Sequence, residues 1–148
     1  YFNARILECV EITVSDTDKF EFEEAIKPGQ EVIFDPLTLT VKSNLRWGMS
    51  LETNKESGDT LSEYNVERAG YVQNGHVLKN KAQYRVNGGS WREFSNGANI
   101  ALETQLPTGE AGAIVSIQVK ARGSWDDKIL EDGNVYRMEV NYILTPVY

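Results

Sequence analysis

Phe2, Ala4, Ile6, Val10, Ile12 and Val14 fall on one face of the opening run, with Arg5, Glu11, Thr13 and Ser15 on the other. A period of two is the mark of a β-strand with one dry side. Globular strands average about 5–6 residues, whereas this run, at about 3.3 Å per residue, would reach roughly 45 Å. A strand that outruns its own sheet either bridges two sheets of its own body or leaves the body and completes a neighbour's. The alternation breaks at Glu8, which sits on the otherwise apolar face, while Leu7 and Cys9 are apolar on the other. A bulge or a hand-over between sheets produces such a change of face. Residues 1–7 are the candidate donated strand, with Phe2, Ala4, Ile6 and Leu7 as its interface side chains, and residues 9–14 are expected to stay in their own sheet. An ordinary first strand crossing between the two sheets of one body would use the same pattern.

Alternation recurs downstream, and helical periodicity is almost absent. Phe20 and Phe22 bracket a short strand after a turn at Ser15–Lys19, and Pro28-Gly29 is a second turn before Val32 and Phe34. Asp35-Pro36 breaks pairing. Leu37, Leu39 and Val41, then Leu45, Trp47, Met49 and Leu51, read as a hairpin turning at Ser43-Asn44. Residues 53–69 are polar and read as a long loop or one helical turn around Leu61 and Tyr64. Asn74-Gly75 reads as a type I′ hairpin between Tyr71-Val72 and His76-Val77-Leu78. Ala82, Tyr84 and Val86 turn at Asn87-Gly88-Gly89 and return through Trp91 and Phe94, and another strand runs from Ala98 to Leu102. Ala113–Lys120 and Tyr136–Leu144 are the clearest strands, with Pro146 expected to end pairing. The pattern predicts an all-β, antiparallel immunoglobulin-like or Greek-key sandwich of about eight to ten strands. With no linker-like stretch inside it, the whole chain of 148 residues reads as one domain.

Hydrophobic content of 41%, with three Trp, seven Tyr and five Phe, supplies a real core and argues against disorder. The net charge of −7 makes phosphate backbones and anionic lipid surfaces poor partners. No stretch approaches the roughly 20 apolar residues of a membrane-spanning helix. The single cysteine, Cys9, forms no internal disulfide and, if buried between sheets, serves as a small hydrophobe. The sequence opens at Tyr1 without an initiator Met or a charged leader, which fits either a removed leader or a trimmed sequence.

Chemistry is sparsely signposted. His76 is the sole histidine and lies beside a turn, so a surface position is expected. No nucleophile elbow and no metal-spaced His or Cys pair is present, and the 22 acidic residues offer no distinguished pair for glycoside hydrolysis. The chain reads as a non-enzyme without a cofactor. Trp91 and Trp125 lie by Gly-Ser turns and are candidates for stacking a surface glycan, set against plain packing; Trp47 shares a register with Leu45 and Met49 and should point inward. Asp126, Asp127, Glu131 and Asp132 crowd one loop, so Asp126, Asp127 and Asp132 are a weak candidate Ca²⁺ site beside the reading of a solvated turn. Asp132-Gly133-Asn134-Val135-Tyr136 approximates a tyrosine corner, with the Gly one position early.

The wording Val41-Lys-Ser-Asn-Leu-Arg-Trp47, Tyr84-Arg-Val-Asn-Gly-Gly-Ser-Trp91 and Tyr136-Arg-Met-Glu-Val-Asn-Tyr-Ile-Leu-Thr-Pro146 resembles exported bacterial and archaeal surface β-sandwiches of pilin-like and WxL-like type. The resemblance implies export, an immunoglobulin-like body and a role at the cell surface, sometimes as a filament subunit joined by donated strands. No functional residue transfers with it. The expectation is a structural subunit of an extracellular filament, pilus or surface layer whose partners are copies of itself. An adhesive or carbohydrate-binding module is the alternative.

Overall fold

The computed structural model describes residues 1–14 and 26–148, so the expected turn at Ser15–Lys19 and the strand around Phe20 and Phe22 lie outside the described residues. The described residues contain strands and no helix: β1 (Val10–Val14), β2 (Glu31–Ile33), β3 (Leu37–Ser43), β4 (Arg46–Thr53), β5 (Ser62–Asn65), β6 (Gly70–Tyr71), β7 (Gln83–Val86), β8 (Arg92–Glu93), β9 (Ala98–Gln105), β10 (Ala113–Arg122), β11 (Asn134–Arg137) and β12 (Val140–Val147). Pairing is antiparallel throughout. One sheet runs β1-β3-β10-β7-β8 with β2 also on β10, a second runs β12-β4-β9, and a third runs β11-β5-β6.

Twelve strands are assigned among the described residues, against the eight to ten expected: one predicted run is split, one strand was missed, and the expected break at Asp35-Pro36 is present. Pro36 has no N–H to give, and pairing with β10 lapses between Ile33 and Leu37. Phe34 keeps contact there by donating its backbone N–H to the Val119 carbonyl at 3.0 Å. The run from Tyr136 to Leu144 also divides, with β11 pairing β5 and β12 pairing β4. Pro146 does not end β12, which continues to Val147; among the described residues β12 pairs only with β4, and a strand at that position tolerates a missing N–H. The polar stretch after residue 53 holds β5 instead of a helical turn, with Tyr64 buried against Tyr71 at a ring separation of 5.0 Å.

The Ser43-Asn44 turn is no hairpin. β3 pairs with β1 and β10, whereas β4 pairs with β12 and β9, so the chain crosses there from one sheet to another. The reason is burial. Leu39 and Val41 on β3 and Trp47, Met49 and Leu51 on β4 have apolar faces that cover each other in one core cluster, joined by Tyr84, Phe94, Val115 and Ile117. A hairpin would set these side chains edge to edge and leave them wet. The Ser43 hydroxyl secures the crossing, donating to the Leu45 carbonyl at 2.7 Å, and the buried Trp47 ring N–H donates to the Leu106 carbonyl at 3.1 Å.

Asn74-Gly75 is not a hairpin turn either. Residues 70–72 and then 76–78 bond in succession to β5, through Val72 N–H to the Glu63 carbonyl and Glu63 N–H to the His76 carbonyl. The dipeptide forms a small excursion from one continuing line of pairing, with Asn74 at φ 55. A Cβ on Gly75 would stand 3.0 Å from the Cβ atoms of Glu63 and Val72, so the excursion presses close to β5. The Asn87-Gly88 turn does reverse the chain as expected, with both residues at positive φ, and β7 pairs β8 across it. The Tyr136 hydroxyl donates to the Lys128 carbonyl at 2.6 Å, the bond back upstream that the tyrosine-corner pattern predicts.

Candidate assembly surface

Ordered pairing of the opening run begins at Val10, not Tyr1. Residues 1–9 carry no strand assignment, and β1 holds to β3 from Val10 opposite Ser43 to Val14 opposite Leu39. The division near Glu8 matches the change of face in the sequence. Beyond Ser43 the partner strand has turned away into β4, so the line of β1 overshoots its own sheet. Asn44 fixes where the chain departs: its side chain donates to the Leu7 carbonyl at 2.8 Å and accepts the Cys9 N–H at 2.9 Å. Its own N–H donates to the Cys9 carbonyl at 3.2 Å. The Tyr148 hydroxyl adds a bond to the Glu8 carboxylate at 3.0 Å. Phe2 and Ile6, beyond these ties, are 106% and 86% exposed, and Ala4 and Leu7 are exposed as well.

Among the described residues two sheet edges are long, β9 and β12. β9 and β12 each have eight residues and flank β4. At β9, the Arg92 guanidinium donates to the backbone carbonyls of Ile100 at 2.9 Å and Ala101 at 3.3 Å, while packing over the Tyr84 ring. A side chain thus occupies acceptors that an incoming strand would need. β12 has no charged residue from Val140 to Val147. Its inner face, Val140, Tyr142 and Leu144, packs on the core yet stays only half-buried. β1 is the neighbouring edge of the facing sheet, and its inward Ile12 is 38% exposed.

The other candidate residues do not converge. Trp91 is half-buried, with the Arg85 guanidinium 4.6 Å and the Lys120 ammonium 4.5 Å from its ring centre. Those cations already use its π-face. Trp125 is 85% exposed on the loop after β10, and no ring contact among the described residues joins it to Trp91. The two do not build one stacking platform. The Ca²⁺ candidate fares similarly. Asp126 forms an ion pair with Lys79 at 2.6 Å, and Asp127 accepts the Lys79 N–H at 2.9 Å and the Ser124 N–H at 2.7 Å. The Lys79 ammonium holds the Asp126 carboxyl below its usual range. Asp132 is exposed, and among the described residues no group of three His, Cys, Asp or Glu side chains is arranged to hold a metal ion.

Cys9 is exposed instead of buried between sheets, because the chain is already leaving the body there. His76 lies on the surface as expected, with its backbone N–H on the Glu63 carboxylate. Sequence reasoning missed Asn44 and Arg92. Asn44 was visible only as a turn residue, and Arg92 carries no motif. The absence of charge along β12 was legible, but its pairing with β4 alone among the described residues was not.

Comparison with protein-family models, curated proteins and solved structures found no match to this chain.

Proposed function

We propose that this chain is a structural subunit of an extracellular filament, pilus or surface layer, built on an immunoglobulin-like sandwich and joined to copies of itself by residues 1–7. The observation that carries this reading is the pairing of opposites in the opening run. Val10–Val14 are held in the sheet, while Phe2, Ala4, Ile6 and Leu7 stand in solvent just beyond the Asn44 ties. Exposed apolar side chains at alternate positions are costly in water and fit a strand that finds its sheet elsewhere. Backbone hydrogen bonds would supply affinity, and Phe2, Ala4 and Ile6 would fill gaps in the acceptor's inner face.

Deletion of Tyr1–Leu7 tests the reading. The expected product is folded protein, with an unchanged circular dichroism spectrum, that remains monomeric by light scattering and forms no filaments in electron micrographs. Assembly of the deletion variant with unchanged heat resistance would overturn it. A glycan-binding module is the second reading, resting on the exposure of Trp125; binding of a glycan array by the monomer, lost in Trp125→Ala, would favour it.

A further inference from the structure

We propose that a polar cleft on the outer face of β10, β7 and β8 binds a sugar acid, a small carboxylate that also carries hydroxyl groups. The cleft has a volume of about 160 Å³ and is walled by β2, β7, β8, β10 and the residues just before β7. Strand register builds it. Lys120 stands opposite Gln83, and Gln83 opposite Glu93, so three side chains form one row across β10, β7 and β8. Arg122, two residues after Lys120 and opposite Glu31, starts the next row on the same face. Ala121 between them turns inward, buried with Val32 and Phe34. Lys81, Lys120 and Arg122 face Glu31 and Glu93 there, a locally positive spot on a chain of net charge −7.

Part of the wall is already committed. The Lys120 ammonium is 3.2 Å from the Glu31 carboxylate and 4.5 Å from the Trp91 ring centre, and the Lys81 ammonium is 3.4 Å from Asp59. The Asn80 side chain donates to the Arg122 carbonyl at 3.2 Å. These contacts hold the wall in shape before any ligand arrives. Among the described residues, the Arg122 guanidinium, the Glu93 carboxylate, the Gln83 amide and the Asn80 amide oxygen have no hydrogen bond or ion pair. Their chemistry selects the ligand. A guanidinium takes a carboxylate or a phosphate through two parallel bonds. Glu31 and Glu93 put two negative charges in the same cleft, which disfavours a doubly charged phosphate more than a single carboxylate held at Arg122. Glu93 and the Asn80 oxygen accept hydrogen bonds, so the rest of the ligand must bring donors, and hydroxyl groups do so without adding charge. The volume falls below the roughly 300–1,000 Å³ of drug-sized pockets, which suits one sugar residue.

Titration of the isotope-labelled full chain with sodium glucuronate, followed by amide chemical shifts, tests the proposal. Glucose, sodium acetate and sodium phosphate at equal ionic strength are the comparisons. Amides of residues 81–83, 92–93 and 120–122 should shift saturably with glucuronate in the millimolar range. Glucose keeps the hydroxyls without the carboxylate, and acetate keeps the carboxylate without the hydroxyls. Each should bind about tenfold more weakly or worse, as should phosphate. Arg122→Gln should weaken glucuronate by about tenfold or more, and Arg122→Lys, which keeps the charge and loses the fork, by less. Arg68→Gln, an exposed arginine between β5 and β6, should change it less than about twofold. The absence of saturable shifts, or shifts centred on Trp125 instead of the cleft, would overturn the proposal. So would phosphate or glucose binding as well as glucuronate, or Arg122→Gln behaving like Arg68→Gln. The site uses none of residues 1–7, so its failure leaves the assembly reading standing.

Discussion

The Asn134 side-chain amide donates to the Glu63 carboxylate at 2.7 Å, joining β11 to β5. Asn134 in turn accepts from the Asn65 side chain at 2.7 Å, so three polar side chains lock one sheet together. Glu63 is a buried acid that is accounted for: its other oxygen accepts the His76 N–H at 3.0 Å. Burial of a charged carboxylate is tolerated when donors face it.

This arrangement predicts a pH dependence. The His76 backbone N–H, and after it the Asn134 amide, hold the Glu63 carboxyl below its ordinary range. A depressed folded-state pKa contributes stability that is complete above the unfolded value of about 4.3 and is lost as pH falls through the lower folded value. Glu63→Gln keeps the shape but turns an amide NH₂ toward donors. Its thermal midpoint should fall clearly below the parent's at pH 7, and the gap should narrow as the pH is lowered toward 3. An equal gap at both pH values would show that the carboxylate charge is not what matters.

Tyr136→Phe should cost about 1 kcal/mol, the worth of one intramolecular hydrogen bond, because it removes the 2.6 Å bond from the hydroxyl to the Lys128 carbonyl. For a chain of this length that is a fall of roughly 2–4 °C in melting temperature. Scanning calorimetry of the monomer measures it directly. A midpoint equal to the parent's would mean that the loop before β11 does not depend on this corner.

Gly123→Ala should destabilise by about 1–3 kcal/mol through overpacking. A Cβ there would stand 2.7 Å from the Lys27 carbonyl oxygen, a backbone atom that cannot swing aside. The same glycine donates to the Gln30 carbonyl and accepts the Gly29 N–H, each at 3.0 Å, so its segment is tied on both sides. Gly133→Ala makes the comparison: that site is open, and only its φ of +86 resists the change. Denaturant midpoints of the two variants should rank Gly123→Ala as the weaker.

The β-rich class and most inward-facing residues are legible in the sequence because alternation reports burial locally. Leu39, Val41, Trp47, Met49, Val115 and Ile117 were legible in this way, and all are buried. Strand partners were misplaced because pairing is not local. Ser43-Asn44 and Asn74-Gly75 carry turn chemistry, yet that chemistry serves a crossing between sheets at one site and an excursion along β5 at the other. The run through Met138 looked continuous because its side-chain period survives the change of sheet between Arg137 and Val140. The exposed opening segment could be suspected from its excess length, whereas Asn44 as its anchor and Arg92 as the guard of β9 needed three-dimensional contacts.

Phe2→Ser and Ile6→Ser should separate assembly from folding. Both side chains lie in solvent, at 106% and 86% exposure, so neither contributes contacts to the monomer, whose melting temperature should stay within about 1 °C of the parent's. In the assembled state each would move into an apolar site. Burying a side chain of that size contributes about 1.5–3 kcal/mol, and about 1.4 kcal/mol corresponds to tenfold in an equilibrium constant. Each substitution should therefore raise the critical concentration for assembly by roughly one to two orders of magnitude, and the double variant by more. Asn3→Ser, on the opposite face of the run, should change it less than threefold. Sedimentation of filaments across a concentration series gives all four values. Equal critical concentrations for Ile6→Ser and Asn3→Ser would mean that the alternation of this run plays no part in holding subunits together.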